Sequence, residues 1–419
     1  MRTILFLLLL FVLSCGKSKK EMIDLDSFRN QGKKIDIFNL NKNKIFDVSK
    51  INKISSIVYH KYNSWSQSNY NSKNILYPVS INLNEPKKRK KGNFNEILNY
   101  KDKIITINKK SFLTVFDLNL KELKKYKIYN RKIYKNFNLN FNLGIENKKI
   151  LVSDNLGNIF CFDVESLKLL WSKKLTVPFV SNIKVYKGNL YLINSNSKLF
   201  SININTGKIN WSYETASKNL KSKSQSYQMA IYKDKLFFTN DYGEMYAIDL
   251  LKNDIIWSKN LATKIFIDKP LNISFSSLAI DDEGTIYFST NHNKTYALDN
   301  NSGNIKWSNP IVLSGELFFN KNLLISYHQD KIIILNKLTG QILFNKKIIN
   351  LEKKQDFSIV SMLLGKQKIY FFTDKNFNIE INYQNLSKPI ITKNYKNYEK
   401  FIIVKNNLFF QTKNHIIKH

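Results

Sequence analysis

Few residues in this 419-residue chain stand where they could do chemistry together. The five histidines, His60, His292, His328, His415 and His419, are scattered and show no metal-ligand spacing, so surface or loop positions are expected of them. No serine-based nucleophile motif, phosphate-binding loop or dinucleotide fingerprint is present. Cys161 could act as a free thiolate ligand or nucleophile, but its place in the pattern below makes it a small packing residue. Acidic groups number only 32, and those that recur do so with an aromatic partner. In five places an Asp or Asn stands eight residues before a ring: Asp163 and Trp171, Asn203 and Trp211, Asp249 and Trp257, Asp299 and Trp307, Asn336 and Phe344.

The copies read CFDVESLKLLW (161–171), SININTGKINW (201–211), AIDLLKNDIIW (247–257), ALDNNSGNIKW (297–307) and IILNKLTGQILF (333–344). Four of the five tryptophans therefore share one structural position. Successive aromatics lie 40, 46, 50 and 37 residues apart, a period typical of propeller blades. The text between motifs, such as KLFFTNDYGEMYAID (235–249) and TIYFSTNHNKTYALD (285–299), divides into short apolar runs around a polar turn. Two strands before the motif, one ending in it and one carrying the aromatic, make a four-stranded blade.

The spacing has a physical reason. The Asp or Asn accepts local backbone N–H bonds, and a glycine with positive φ lets the chain reverse into the outermost strand. The aromatic then lies against the neighbouring blade. Gly207, Gly303 and Gly340 fit this turn; Asn253 tolerates the left-handed geometry, and Ser166-Leu167 is expected to use another turn. Cys161 falls where Ala247 and Ala297 stand in other copies.

Weaker copies flank the series. LTVFDLNLKELKKY (113–126) has Asp117, with its aromatic displaced by one to Tyr126, and IYFFTDKNFNIEINY (369–383) puts Glu380 44 residues after Asn336. Seven units then run from about residue 98 to 395, and KFIIVKNNLFFQTKNHIIK (400–418) needs the segment near 54–84 to complete an eighth. The expected fold is all-β: an eight-bladed β-propeller of four-stranded antiparallel blades, its ring closed by N- and C-terminal strands so that no sheet edge is left between them.

Lys and Arg number 66, for a formal net charge of +34. The excess is mostly lysine, spread along the chain beside much Asn and Ile, as A- and T-rich coding produces, so no nucleic-acid partner is expected; attraction to an anionic membrane stays open. The dense run Lys87-Lys88-Arg89-Lys90-Lys91 is expected to be a solvated loop. At the start, Arg2 precedes ten apolar residues, Ile4 to Leu13, as in an export signal. Val12-Leu13-Ser14-Cys15 resembles the bacterial lipobox, in which the cysteine is acylated and becomes the mature N-terminus. The expected organisation is a lipoprotein-type signal peptide over 1–14, a tether over 15–50 and the propeller over 51–419, with lipidated Cys15 leaving no intramolecular disulfide.

The Ala-x-Asp-x-x-Thr-Gly-x-x-x-Trp spacing at 247–257, 297–307 and 201–211 resembles the tryptophan-docking repeat of PQQ-type propellers. Together with the lipobox-like start and NSWSQSNYNSKN (63–74), similar to a Trp-Xaa-Gln opening before the first blade, the chain resembles the BamB family. That resemblance implies a non-catalytic, lipid-anchored scaffold on the periplasmic face of the outer membrane, without a cofactor. Its implied partner is the periplasmic part of the barrel-assembly component BamA, with nascent outer-membrane proteins as a further class. No partner-binding loop can be placed by motif. Two alternatives stand beside it: a PQQ-dependent quinoprotein dehydrogenase, for which adjacent cysteines and a carboxylate-rich calcium site are missing from the sequence, and a lipoprotein that binds an anionic envelope polymer.

Overall fold

The computed structural model describes residues 51–83, 86–130, 137–217, 227–261, 273, 275–348, 357–375, 377–393, 398–405 and 407–419. Cys15, the export signal and the tether over 15–50 lie outside the described residues. Among the described residues the secondary structure is β throughout, in eight four-stranded antiparallel sheets.

The first strand in the chain, β1 (Lys88–Lys91), belongs to the last blade. Blade 1 is β2 (Phe94–Tyr100), β3 (Lys103–Asn108), β4 (Phe112–Asp117) and β5 (Glu122–Lys127); blade 2 is β6 (Phe141–Glu146), β7 (Lys149–Asp154), β8 (Asn158–Asp163) and β9 (Leu169–Lys174). Blade 3 is β10 (Lys184–Tyr186), β11 (Asn189–Ile193), β12 (Lys198–Asn203) and β13 (Ile209–Glu214); blade 4 is β14 (Met229–Tyr232), β15 (Lys235–Thr239), β16 (Glu244–Asp249) and β17 (Asp254–Asn260). Blade 5 is β18 (Ala279–Ile280), β19 (Thr285–Thr290), β20 (Lys294–Asp299) and β21 (Ile305–Asn309); blade 6 is β22 (Phe318–Asn320), β23 (Leu323–His328), β24 (Lys331–Asn336) and β25 (Ile342–Lys347). Blade 7 is β26 (Ile359–Leu364), β27 (Lys368–Thr373), β28 (Phe377–Asn382) and β29 (Pro389–Lys393); blade 8 is β30 (Tyr398–Val404), β31 (Asn407–Thr412) and β32 (His415–Lys418), completed by β1.

Burial explains the composition of each strand. Middle strands such as β15 (KLFFT) and β27 (KIYFFT) bury both faces between neighbouring blades, so they are apolar runs rather than alternations. Fourth strands such as β9 and β13 alternate exposed and half-buried, as an edge with one covered face must. In blades 1 to 6 the third and fourth strands pair with a register shift, for example between Cys161 and Phe162 and between Ala297 and Leu298. The extra residue of that bulge is the one before the motif aromatic, and it turns the ring toward the next blade.

Three expectations are corrected. The basic run at 87–91 is not a loop: Lys88–Lys91 pairs with β32, Lys88 opposite Lys418 and Lys91 opposite His415. Backbone pairing needs no apolar side chain on an edge strand, which is why periodicity could not reveal it. Consequently the segment near 54–84 does not complete the eighth blade. Glu380 is not the turn residue of blade 7 either; it sits within β28 and pairs with Lys368 at 2.7 Å, while Asn382 ends the strand and accepts from the Gln384 N–H at 2.8 Å. The offset arises because β28 stays paired with β27 as far as Asn382, opposite Lys368; β28 and β29 then pair without the bulge of blades 1 to 6.

Candidate interaction surface and the axial segment

Each motif residue can be followed from its turn to the next blade. Asp163 Oδ1 accepts from the N–H groups of Glu165 (3.1 Å) and Ser166 (2.7 Å). Asn203 does so from Asn205 and Thr206, Asp249 from Leu251 and Lys252, Asp299 from Asn301 and Ser302, and Asn336 from Leu338 and Thr339. The N–H of Ser166 in one case, of Lys252 in the second and of Ser302 in the third holds the carboxyls of Asp163, Asp249 and Asp299 below the usual carboxylate range. These acids are committed to turns. The fourth residue after each carries positive φ: Gly207 (68°), Gly303 (67°), Gly340 (73°), Asn253 (60°) and Leu167 (60°). Leu167 therefore adopts the same turn as the others, contrary to expectation; its N–H bonds to Asp163 O at 2.9 Å and its side chain is buried, which holds a conformation leucine alone would avoid.

The aromatics reach across. Trp171 Nε1 donates to Ile204 O (2.9 Å), Trp257 Nε1 to Asn300 O (3.0 Å) and Trp307 Nε1 to Lys337 O (2.9 Å), each carbonyl following the Asx residue of the next blade. The glycine of that next turn lies against the indole: a Cβ on Gly207 would stand 2.8 Å from Trp171, one on Gly303 2.7 Å from Trp257 and one on Gly340 2.5 Å from Trp307. Trp211 packs against the core cluster that includes Ile231, Leu236 and Ile248 of blade 4, where Asn253 replaces the glycine, and Phe344 is fully buried. Opposite the four tryptophans across the strand pair stand Cys161, Ser201, Ala247 and Ala297, all small. Burial raises the Cys161 thiol to about 12, so it is neither a nucleophile nor a ligand at neutral pH. In blade 1 the position opposite Val115 holds Lys124, so Tyr126 is displaced by two residues rather than one; it meets Phe162 of blade 2 edge-on at 5.1 Å.

The histidines are dispersed. His60 lies among Tyr62, Tyr70 and Tyr77; contrary to expectation His328, beside Ser314, and His415 lie in β23 and β32, and His419 is buried against Tyr398. Among the described residues no group of three His, Cys, Asp or Glu could hold a metal ion.

Residues 54–58 bond to Tyr383 in the blade 7 turn and to Asn320 of blade 6, after which residues 65–79 run along the inner strands and visit the blades in order. Carbonyl oxygens of Trp65, Ser66, Ser72, Lys73 and Leu76 accept from Asn99 of blade 1, Ile145 of blade 2, Ile231 of blade 4, Ile280 of blade 5 and Phe319 of blade 6 at 2.7–3.0 Å. Gln67 Oε1 takes the N–H of Val185 in blade 3, Val79 donates to Leu364 O in blade 7, and Trp65 meets Phe401 of blade 8 at 5.7 Å. One buried cation fixes this path: Lys184 Nζ donates to Ser68 O and Asn71 O at 3.0 Å and to Asn74 Oδ1. Burial pushes its ammonium down to about 7, while the charge of Glu96 works the other way. The only sequence trace of the segment is the Trp65-Ser66-Gln67 opening, whose Trp and Gln contact blades 1, 8 and 3.

A cavity of about 110 Å³ remains beside the segment, lined by Trp65, Ser68, Glu96, Glu316, Lys400 and Phe401 among others. Small-molecule sites run from roughly 300 to 1,000 Å³, so this one does not fit a tricyclic quinone. On the rim, the fourth strands carry exposed aliphatics two residues before the tryptophan: Leu169, Ile209, Ile255 and Ile305. With their open strand edges they form the accessible apolar surface of blades 2 to 5.

Ring, docking tryptophans and closing strand define the class: an eight-bladed propeller of PQQ-type repeats. The family model described as outer membrane protein assembly factor BamB matches residues 130–376, and the chain belongs to that family. A comparison with curated proteins finds no match. Among solved structures, BamB from Moraxella catarrhalis is 12% identical with a TM-score of 0.62, the match covering 80% of this chain and 99% of that one. The computationally designed Ika8 protein is 9% identical, TM-score 0.59, covering 80% and 98%, and a europium-containing methanol dehydrogenase is 10% identical, TM-score 0.63, covering 84% and 89%. At such identities these likenesses describe the fold alone.

Proposed function

We propose that this protein is a non-catalytic scaffold lipoprotein, anchored through Cys15 at the periplasmic face of the outer membrane, that assists β-barrel assembly by binding BamA. The family match over residues 130–376 carries this reading. The contacts that residues 65–79 make with the inner strands of all eight blades suit a stiff frame that offers its outer surface to a partner. A scaffold needs a stiff frame with exposed edges, and the rim strands of blades 2 to 5 supply candidate contacts.

Affinity capture from detergent-solubilised envelopes, with Cys15 intact, is expected to recover the barrel-assembly component. Replacing Ile209, Ile255 and Ile305 by aspartate should weaken that capture at least tenfold while leaving the melting temperature nearly unchanged. Capture of no barrel component, together with quinone uptake and dye reduction by the purified protein, refutes the proposal. Metabolic acyl labelling should vanish in Cys15→Ala, and label that persists rules out that anchor.

A further inference from the structure

We propose that the closure of the ring, where blade 8 packs on blade 1, is a docking surface for an anionic lipid bilayer. It is built from nine cations in two short stretches, residues 87–91 and 121–127, of which only Arg89 is not lysine. The fold sets blade 8 against the β4–β5 turn of blade 1: Lys418, paired with Lys88 across β1 and β32, reaches Asn119 in that turn at 3.3 Å. Lys90 lies over the Phe116 ring at 5.4 Å, and Lys125 and Lys127 over Phe112 at 4.6 and 5.5 Å. Phe112 and Phe116 share one face of β4, so cations of both strands converge on that face of blade 1.

Elsewhere lysines find carboxylates, as Lys187 does in Asp234 and Lys400 in Glu96. Among the described residues no ion pair uses a cation from β1 or β5. Asp117 is engaged by the N–H groups of Asn119 and Lys121, which leaves Glu122 as the acidic residue of β5. Burial, followed by the charges of Lys87 and Lys88, holds Lys418 below its ordinary value, a sign that like charges are crowded there. Such crowding is relieved by a dense anionic surface.

Two features favour a bilayer over a nucleic acid or a soluble polyanion. Lysines are mobile point charges suited to a fluid array of headgroups, whereas nucleic-acid grooves use arginine forks and exposed stacking rings. Leu123, the bulge residue of β5 beside Lys124, has 47% of its surface exposed, and such a side chain can add apolar contact with the acyl region of a bilayer.

The test is co-sedimentation of the full chain with vesicles of phosphatidylcholine containing 30% phosphatidylglycerol, against phosphatidylcholine alone, in ~0.1 M salt, where the Debye length is about 10 Å. The ratio of the two partition coefficients cancels any contribution of the apolar N-terminal residues. The variant K88Q/R89Q/K124Q/K125Q should lose at least tenfold in that ratio. K208Q/K233Q/K252Q/K294Q, which removes four charges from blades 3 to 5, should lose less than threefold; melting temperatures verify that both fold. Equal losses, a wild-type ratio near one, or displacement by polyphosphate at matched phosphate concentration would overturn the proposal. None of these readouts involves BamA or Cys15, so failure here is separable from failure of the scaffold reading.

Discussion

At the scale of the residue, the propeller is held by a contact between a ring and the absence of a side chain. Gly340 has φ of 73° and a position where a Cβ would stand 2.5 Å from Trp307. Gly340→Ala thus combines left-handed strain of ~1 kcal/mol with displacement of a buried indole, and a loss of about 2 to 4 kcal/mol is expected in denaturant unfolding. An equal loss from Gly188→Ala, whose φ is 78° but whose Cβ would meet nothing within 4 Å, would show that the ring contact is irrelevant. Lys184 makes a different prediction. Its folded-state pKa of about 7 lies below the value of 10.5 for a free lysine, so the folded protein binds fewer protons than the unfolded chain between those limits. The cost of the buried charge is present in full below about pH 7 and is relieved as pH rises toward 10. Stability should therefore climb from pH 7 to 9 in the wild type and lose most of that rise in Lys184→Met; parallel pH profiles would mean that Lys184 titrates normally.

At the scale of the element, β1 and the axial segment are held by contacts that no local residue pattern signals. Every side chain of β1 is cationic and none is fully buried, so its place depends on backbone hydrogen bonds to β32. Replacing Arg89 and Lys90 by proline removes one ladder donor to β32, because adjacent N–H groups of an edge strand point in opposite directions, and should cost about 1 to 3 kcal/mol, whereas glutamine at both positions should leave stability within about 0.5 kcal/mol. The axial segment, by contrast, is tied by both backbone and packing. Trp65, with 4% exposure, packs with Tyr62 and Phe401, so Trp65→Ala is expected to cost about 3 to 5 kcal/mol. A cost below 1 kcal/mol would indicate a loosely held plug.

At the scale of the whole molecule, closure joins the two ends of a ring in which each blade packs on its neighbours and residues 65–79 tie the inner strands together. In the proline variant of β1, hydrogen exchange is expected to accelerate first in β30, β31 and β32, with β14 to β17 on the far side of the ring still protected. Uniform acceleration would mean that the ring unfolds as one cooperative unit.

The repeat alone determined the blade architecture and the turn chemistry of Asp163, Asn203, Asp249, Asp299 and Asn336, because a side chain closing its own turn needs only residues within four positions. The strands between motifs were legible for the same reason: burial on both faces forces apolar runs. Three features only the tertiary structure decided. Leu167 takes the glycine conformation because its side chain finds a buried site, Asn382 rather than Glu380 ends its strand because pairing with β27 continues to Lys368 opposite Asn382, and Lys88–Lys91 is a strand because β32 is waiting for a partner. In each case the deciding contact comes from a segment distant in sequence or from a register fixed by the neighbouring strand, and no local pattern of residue types encodes it.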